Sequence, residues 1–162
     1  MDADFVALNT DAQDLKRALA PTKLLLGAKM TRGLGAAGDE EVGRDVVLAD
    51  RALLESALDG AQLVVVVACL GGGTGSGGVS ILCDFARARG ADVRTVVALP
   101  FPFEGRRRRR VAEQALAGLQ ATLGAACTLV GMEVREGLTM QSAFAELDER
   151  MADAVGAGLT LG

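Results

Sequence analysis

The stretch that most constrains this chain is an eight-residue apolar run, Leu63-Val64-Val65-Val66-Val67-Ala68-Cys69-Leu70, that passes without a break into Gly71-Gly72-Gly73-Thr74-Gly75-Ser76-Gly77-Gly78. The run is β-branched and does not alternate, which predicts a central parallel strand covered on both faces. Six of the next eight residues lack a side chain, so their backbone can take positive φ and bring N–H groups close to an anion. A helix predicted from Val79 to Arg89 adds the partial positive charge of its N-terminus. A phosphate-binding loop is the chemistry this order supports. The plain alternative, a flexible turn, does not call for so many glycines between a buried strand and a helix.

The rest of the chain alternates short apolar runs with helical stripes. Strands are predicted at Asp4 to Leu8, Lys23 to Leu26, Val93 to Leu99 and Cys127 to Val130. Helices are predicted from Ala12 to Ala20 ahead of Pro21, from the N-cap Asp39 to about Leu58, from Arg106 to Leu123 and from Thr139 to Ala157. Gly33-Leu34-Gly35-Ala36-Ala37-Gly38 is too glycine-rich for a regular element. The alternation specifies an α/β fold, a three-layer sandwich with a mostly parallel, Rossmann-like sheet, and places ligands at the carboxyl ends of its strands. No internal repeat or linker divides the 162 residues, so they are read as one domain.

Composition narrows the chemistry. The chain has no His, which excludes imidazole-based triads and most catalytic zinc sites. Seventeen Lys and Arg stand against 21 Asp and Glu, so a nucleic-acid partner is not expected. Cys69, Cys83 and Cys127 are scattered without a CxxC pair and read as reduced, buried thiols of a cytoplasmic protein. The longest apolar run is far below the roughly 20 residues needed to cross a bilayer, and the acidic start Met1-Asp2-Ala3-Asp4 is unlike a signal peptide.

The identity of the phosphate ligand is a separate question. A P-loop requires GxxxxGK[ST], and residues 71–78 contain no lysine. Gly73, Gly75 and Gly78 satisfy GxGxxG, but the next strand ends Ala98-Leu99-Pro100 without the acid that holds a dinucleotide's ribose. A dinucleotide-binding domain is therefore the weaker alternative.

Four segments, in order, resemble the tubulin/FtsZ GTPase family, its FtsZ branch most closely. Asn9-Thr10-Asp11 is similar to the segment after an early strand and Thr31-Arg32-Gly33-Leu34-Gly35-Ala36 to the loop facing the γ-phosphate. Gly71 to Gly77 is similar to the signature loop, and Pro100-Phe101-Pro102-Phe103-Glu104-Gly105-Arg106-Arg107 to the ribose loop. The resemblance implies GTP or GDP with Mg2+, the ion held mainly by phosphates and water. It places phosphates on Gly71, Gly72, Gly73, Thr74, Gly75, Ser76 and Gly77 and on Gly35, Ala36, Ala37 and Gly38. It places ribose at Glu104 and Arg108 and the base at Phe144 and Asp148, four apart on the last helix, with Asn9 and Asp11 nearby. Arg109 and Arg110 read better as a solvated basic face.

Measured against the family pattern, the chain starts past the first strand and first glycine-rich loop and stops at the core helix. Val134 stands where a base-reading Asn is expected. The expectations are a GTP-binding protein of bacterial cell division, incomplete in hydrolysis by itself, with family protomers as partners. The alternatives are a non-catalytic capper of such protomers or a decayed fragment.

Overall fold

Residues 3–132 and 134–160 are described by the computed structural model. Met1-Asp2 and Glu133 of the segment around Val134 lie outside them, as do Leu161 and Gly162. The order of elements is β1 (Val6–Asn9), α1 (Ala12–Arg17), β2 (Thr22–Leu25), α2 (Ala28–Thr31), α3 (Glu40–Ala49) and α4 (Arg51–Ala57), then β3 (Leu63–Cys69), α5 (Gly73–Ala88), β4 (Asp92–Ala98), α6 (Arg106–Leu123), β5 (Cys127–Val130) and α7 (Met140–Thr160).

Every strand pair is parallel. The strands divide into two groups, β1-β2 and β3-β4-β5. Val66, Val93 and Val97 turn one face of the larger group toward Val79, Cys83 and Ala86 of α5 and Ala112, Leu116 and Leu119 of α6. Val96 and Ala98 turn the other face toward Ala143, Leu147 and Met151 of α7. A third cluster joins Leu8 and Leu24 of the smaller group to Val46, Val47, Leu54 and Phe85. Helices, sheet and helix form the three layers expected of an alternating α/β sequence.

Three expectations about local structure are corrected. The glycine-rich stretch is not all loop: α5 begins at Gly73, so Thr74, Gly75, Ser76 and Gly77 form its opening turns. The reason is tertiary, because α3 lies directly on these glycines. A Cβ at Gly73 would meet the backbone N of Asp39 at 2.9 Å, and one at Gly77 would meet the backbone N of Arg44 at 2.8 Å. The single helix predicted from Asp39 to Leu58 breaks at Asp50, whose carboxylate accepts a hydrogen bond from the Gly27 N–H at 2.6 Å and ties the break to the end of β2. Finally, β3 is packed by helices on both faces but is not central: among the described residues its strand neighbour is β4 on one side alone, with Val67 49% exposed and Cys69 open to solvent.

Of the three thiols read as buried, Cys83 is buried and Cys127 half-buried. Burial pushes the Cys83 thiol up to about 12, with Arg87 pulling the other way. The native state thus holds this proton while the unfolded chain releases it from its ordinary value of 9.0, so this contribution to stability is present below that value and is lost as pH rises toward 12. Denaturant titrations of wild type and Cys83→Ala are expected to show a steeper alkaline loss of stability in the wild type. Parallel pH profiles for the two proteins would contradict that assignment.

Candidate functional site

The carboxyl ends of β1, β3 and β4 open on one region, where the glycine turn begins. Gly71 has φ +99°, and a Cβ there would meet the Arg108 carbonyl at 2.8 Å and Cγ of Pro100 at 3.2 Å, so only glycine fits. The Gly71 N–H donates to the Ser76 hydroxyl at 2.7 Å. Ser76 is therefore engaged in shaping the turn. Gly72 caps α5 in an extended conformation with no side-chain bond, which leaves the first N–H groups of a 16-residue helix unpaired, as at any uncapped N-terminus. Those groups, with the helix dipole behind them, form an anion cradle.

A second row of donors lies beside it. Gly35, Ala37 and Gly38 all have positive φ, at 82°, 51° and 75°. Gly35 donates its N–H to the Thr10 carbonyl and Asp39 donates to Ala36, each turn being closed this way. The N–H groups of Ala37 and Gly38, between them, have no backbone partner among the described residues. The loop is pressed against α5, since Ala36 is buried and its Cβ lies 2.8 Å from where a Cβ of Gly73 would be. Residues 37–38 and 72–75 therefore supply two neighbouring rows of backbone donors.

Thr10, which the sequence reading passed over, joins these parts: its hydroxyl lies 2.7 Å from that of Thr74 and is fully buried. Asn9 and Asp11 flank it and also hold local structure, and the Asp11 carboxylate lies beside the Gly35 turn, 3.6 Å from where a Cβ of Gly35 would be. Asn9 accepts from the Asp11 N–H at 3.0 Å, and Asp11 caps α1 by accepting from Gln13 and Asp14 at 2.8 and 3.1 Å.

On the other side, residues 102–104 form a turn of 3₁₀ helix that leads into α6. One Glu104 oxygen accepts from the Phe101 N–H at 2.8 Å and the other lies 3.2 Å from the Arg108 guanidinium. The pair is fixed at the lip of the glycine turn, where Arg108 also approaches Gly72. Arg109 is taken up by Glu113 at 2.6 Å, an exposed i,i+4 pair.

Phe144 projects from α7 and is 38% exposed. Its ring meets Phe101 edge-on at 5.1 Å and Phe103 at 6.3 Å, while Phe101 and Phe103 stack at 5.0 Å. Phe101 is buried, Phe103 is 46% exposed, and the trio presents an aromatic wall to solvent. The sequence contained a signal for it in the spacing Pro-Phe-Pro-Phe. One turn along α7, Asp148 is exposed and has no protein partner among the described residues.

Cys69 stands at the centre of this arrangement. Partial enclosure raises its thiol above the ordinary value, Asp148 and Glu104 add to the rise, and Arg108 opposes it. Glu104, Arg108 and Asp148 are therefore near enough to the end of β3 for their charges to act on this thiol. Val134 is exposed in the segment between β5 and α7.

The comparisons with known proteins converge on one family. The Tubulin/FtsZ family, GTPase domain, matches residues 1–129. The cell division protein FtsZ of Pseudomonas aeruginosa is 38% identical over 156 residues, covering 94% of this chain and 40% of that protein. FtsZ 1 of Pyrococcus horikoshii is 39% identical over the same length, covering 94% and 42%. Among solved structures, an empty FtsZ dimer of M. jannaschii superposes with a TM-score of 0.84 at 34% identity, covering 94% of this chain and 46% of that one. CetZ2 of Haloferax volcanii, in a GTPγS-bound protofilament, gives 0.82 at 32% identity, covering 96% and 48%. The chain thus spans about 40% of the length of the curated relatives it matches. Ordered motifs, parallel strands with a glycine turn at their carboxyl ends and a match to most of the sequence lead to one assignment: the chain belongs to the tubulin/FtsZ family of GTPase domains.

Proposed function

We infer that this chain binds a guanine nucleotide, GTP or GDP, across the carboxyl ends of β3 and β4. The observation that carries this reading is the adjacency of two rows of unpaired backbone N–H groups, at 72–75 and 37–38, with the Glu104–Arg108 pair beside Gly72. Backbone donors and the α5 dipole hold the phosphates without a lysine. Glu104, kept in place by Phe101 and Arg108, accepts from ribose hydroxyls, and Arg108 adds charge on the phosphate side. Phe144 lies against the flat face of the base, and Asp148 accepts from the two N–H donors of guanine's edge, a pattern adenine lacks.

No cluster of three or more acidic, Cys or His side chains suited to a metal occurs among the described residues, so Mg2+ would enter with the phosphates and complete its shell with water. Ion and nucleotide arrive together in this scheme.

Binding without turnover is the proposed behaviour of this chain alone. The carboxylates nearest the phosphate cradle are already committed: Asp11 caps α1 and Asp39 caps α3, while Glu104 is held by Phe101 and Arg108. None of these three is free to orient an attacking water. In the cell the chain would work in the cytoplasm beside other protomers of the family, as the names of its division-protein relatives suggest. No helix among the described residues is long and apolar enough to cross a membrane.

Calorimetric titration with GTP, GDP and ATP in magnesium tests the reading. Heat from both guanine nucleotides, little from ATP and no phosphate release is the expected outcome. Equal binding of GTP and ATP would remove Asp148 from the base site. Steady release of phosphate would show that the chain carries its own means of activating water.

A further inference from the structure

Thr10 follows directly on β1 and is 1% exposed. Its carbonyl accepts two hydrogen bonds, from the Gly35 N–H at 3.0 Å and from the Thr31 hydroxyl at 3.3 Å. The Ala12 N–H donates to the Gly33 carbonyl at 3.0 Å, so residues 10–12 and 33–35 are bonded to each other in both directions. These bonds fix the base of the loop that carries Ala37 and Gly38. The Thr10 side chain reaches α5 instead: its hydroxyl lies 2.7 Å from that of Thr74, in the first turn of that helix. One buried residue thus holds the 35–38 loop by its main chain and the opening of α5 by its side chain.

Burial decides which of the two hydroxyls donates. Each carries one proton and two lone pairs, and a buried donor left without an acceptor costs far more than one that still reaches solvent. Thr10 is enclosed, and the Thr74 hydroxyl is its side chain's partner among the described residues. The Thr10 proton therefore goes to Oγ1 of Thr74, because in the reverse arrangement it would be buried with nothing to accept it. Thr74 is half-buried, so its own proton points away from Thr10, on the same opening turn whose N–H groups are unpaired. A hydroxyl that already accepts a bond is polarised and donates more strongly.

We propose that Thr10 is a positioning residue of the nucleotide site: its hydroxyl, by donating to Thr74, turns the Thr74 proton toward the bound phosphate, and its carbonyl keeps the 37–38 donors in register with the α5 turn. The proposal rests on the reading of this site as one for a guanine nucleotide. Thr10 itself touches no ligand and acts through Thr74 and Gly35. Serine at position 10 keeps the donor. Valine has the same shape, leaves the carbonyl in place and removes the donor.

The test is calorimetry with GTP in magnesium on the intact chain and on Thr10→Val, Thr10→Ser, Thr74→Val and the Thr10→Val/Thr74→Val pair, together with thermal melting of each protein without nucleotide. Thr10→Val should weaken GTP binding roughly tenfold. Thr10→Ser should restore it, and in the Thr74→Val background Thr10→Val should cost no further affinity. In the melts Thr74→Val should be less stable than the pair, because it leaves the Thr10 proton buried without an acceptor while the pair removes that proton. Undiminished or tighter GTP binding by Thr10→Val would overturn the proposal, since the Thr74 proton must then have pointed at Thr10. Equal losses from Thr10→Val with and without the Thr74 hydroxyl would overturn it too, because Thr10 would then act through the fold alone. Wild type that gives no heat with GTP or GDP would sink the nucleotide reading and the phosphate-directed role with it. Additive melting shifts, measured without ligand, would remove the Thr10–Thr74 coupling even where GTP binds.

Discussion

Gly43→Ala is expected to destabilise the protein, although alanine in the middle of a helix is ordinarily favoured over glycine by about 1 kcal/mol. Gly43 lies in α3 against the first turn of α5, and a Cβ there would press into the Gly73 carbonyl and come within 3.0 Å of the Thr74 Cα. Both obstacles are backbone, which cannot rotate out of the way. Forced overpacking of this kind costs on the order of 1–3 kcal/mol, occasionally more. For a domain of this size each kcal/mol corresponds to roughly 2–4 °C in melting temperature. A drop of several degrees is the expected readout. The variant should also weaken GTP binding, because the displaced residues are those whose N–H groups hold the phosphates in the proposed site. An unchanged or higher melting temperature would mean that α3 and α5 can separate without cost.

The second large effect concerns the base. Asp148→Asn exchanges a carboxylate that accepts two hydrogen bonds for an amide that presents one acceptor and one donor. Bonds to charged groups are worth about 1.5–3 kcal/mol, so GTP affinity should fall about 10- to 100-fold while any ATP binding is unchanged. Discrimination between the two nucleotides would then largely disappear. Asp148 is exposed and has no protein partner among the described residues, so the substitution should leave the melting temperature within error. That separates loss of recognition from loss of fold. Equal weakening of GTP and ATP would instead place the carboxylate near the phosphates.

How far the sequence carried these conclusions differs from element to element. The predicted limits of α6 and β5, Arg106 to Leu123 and Cys127 to Val130, match the structure, because α6 runs between Gly105 and Gly124 and β5 is closed by Gly131. The α/β class followed from alternation. The start of α5 was hidden because intrinsic propensity argues against helix in a run of glycines, and only contact with α3, remote in sequence, overrides it. The exposure of β3 was hidden for a related reason: an unalternating valine run reports burial of a strand's faces and carries no information about how many neighbours it has. Near the glycine turn, the charges of Glu104, Arg108 and Asp148 all act on Cys69, while Asn9 and Asp11 make short-range bonds and Thr10 between them makes the longer-range one. A hydroxyl flanked by two better turn-formers gives no signal until the fold brings Thr74 to it.

The aromatic wall has a practical consequence for spectroscopy. The chain contains five Phe and neither Trp nor Tyr, so its near-ultraviolet circular dichroism arises from phenylalanine alone. Phe101, Phe103 and Phe144 are coupled within one cluster beside the proposed base site, while Phe5 is largely exposed and Phe85 lies in the core beneath Arg51. The sharp phenylalanine bands, usually drowned by stronger chromophores, are here a built-in optical probe of that cluster, and a change in its ring geometry can be followed without a label.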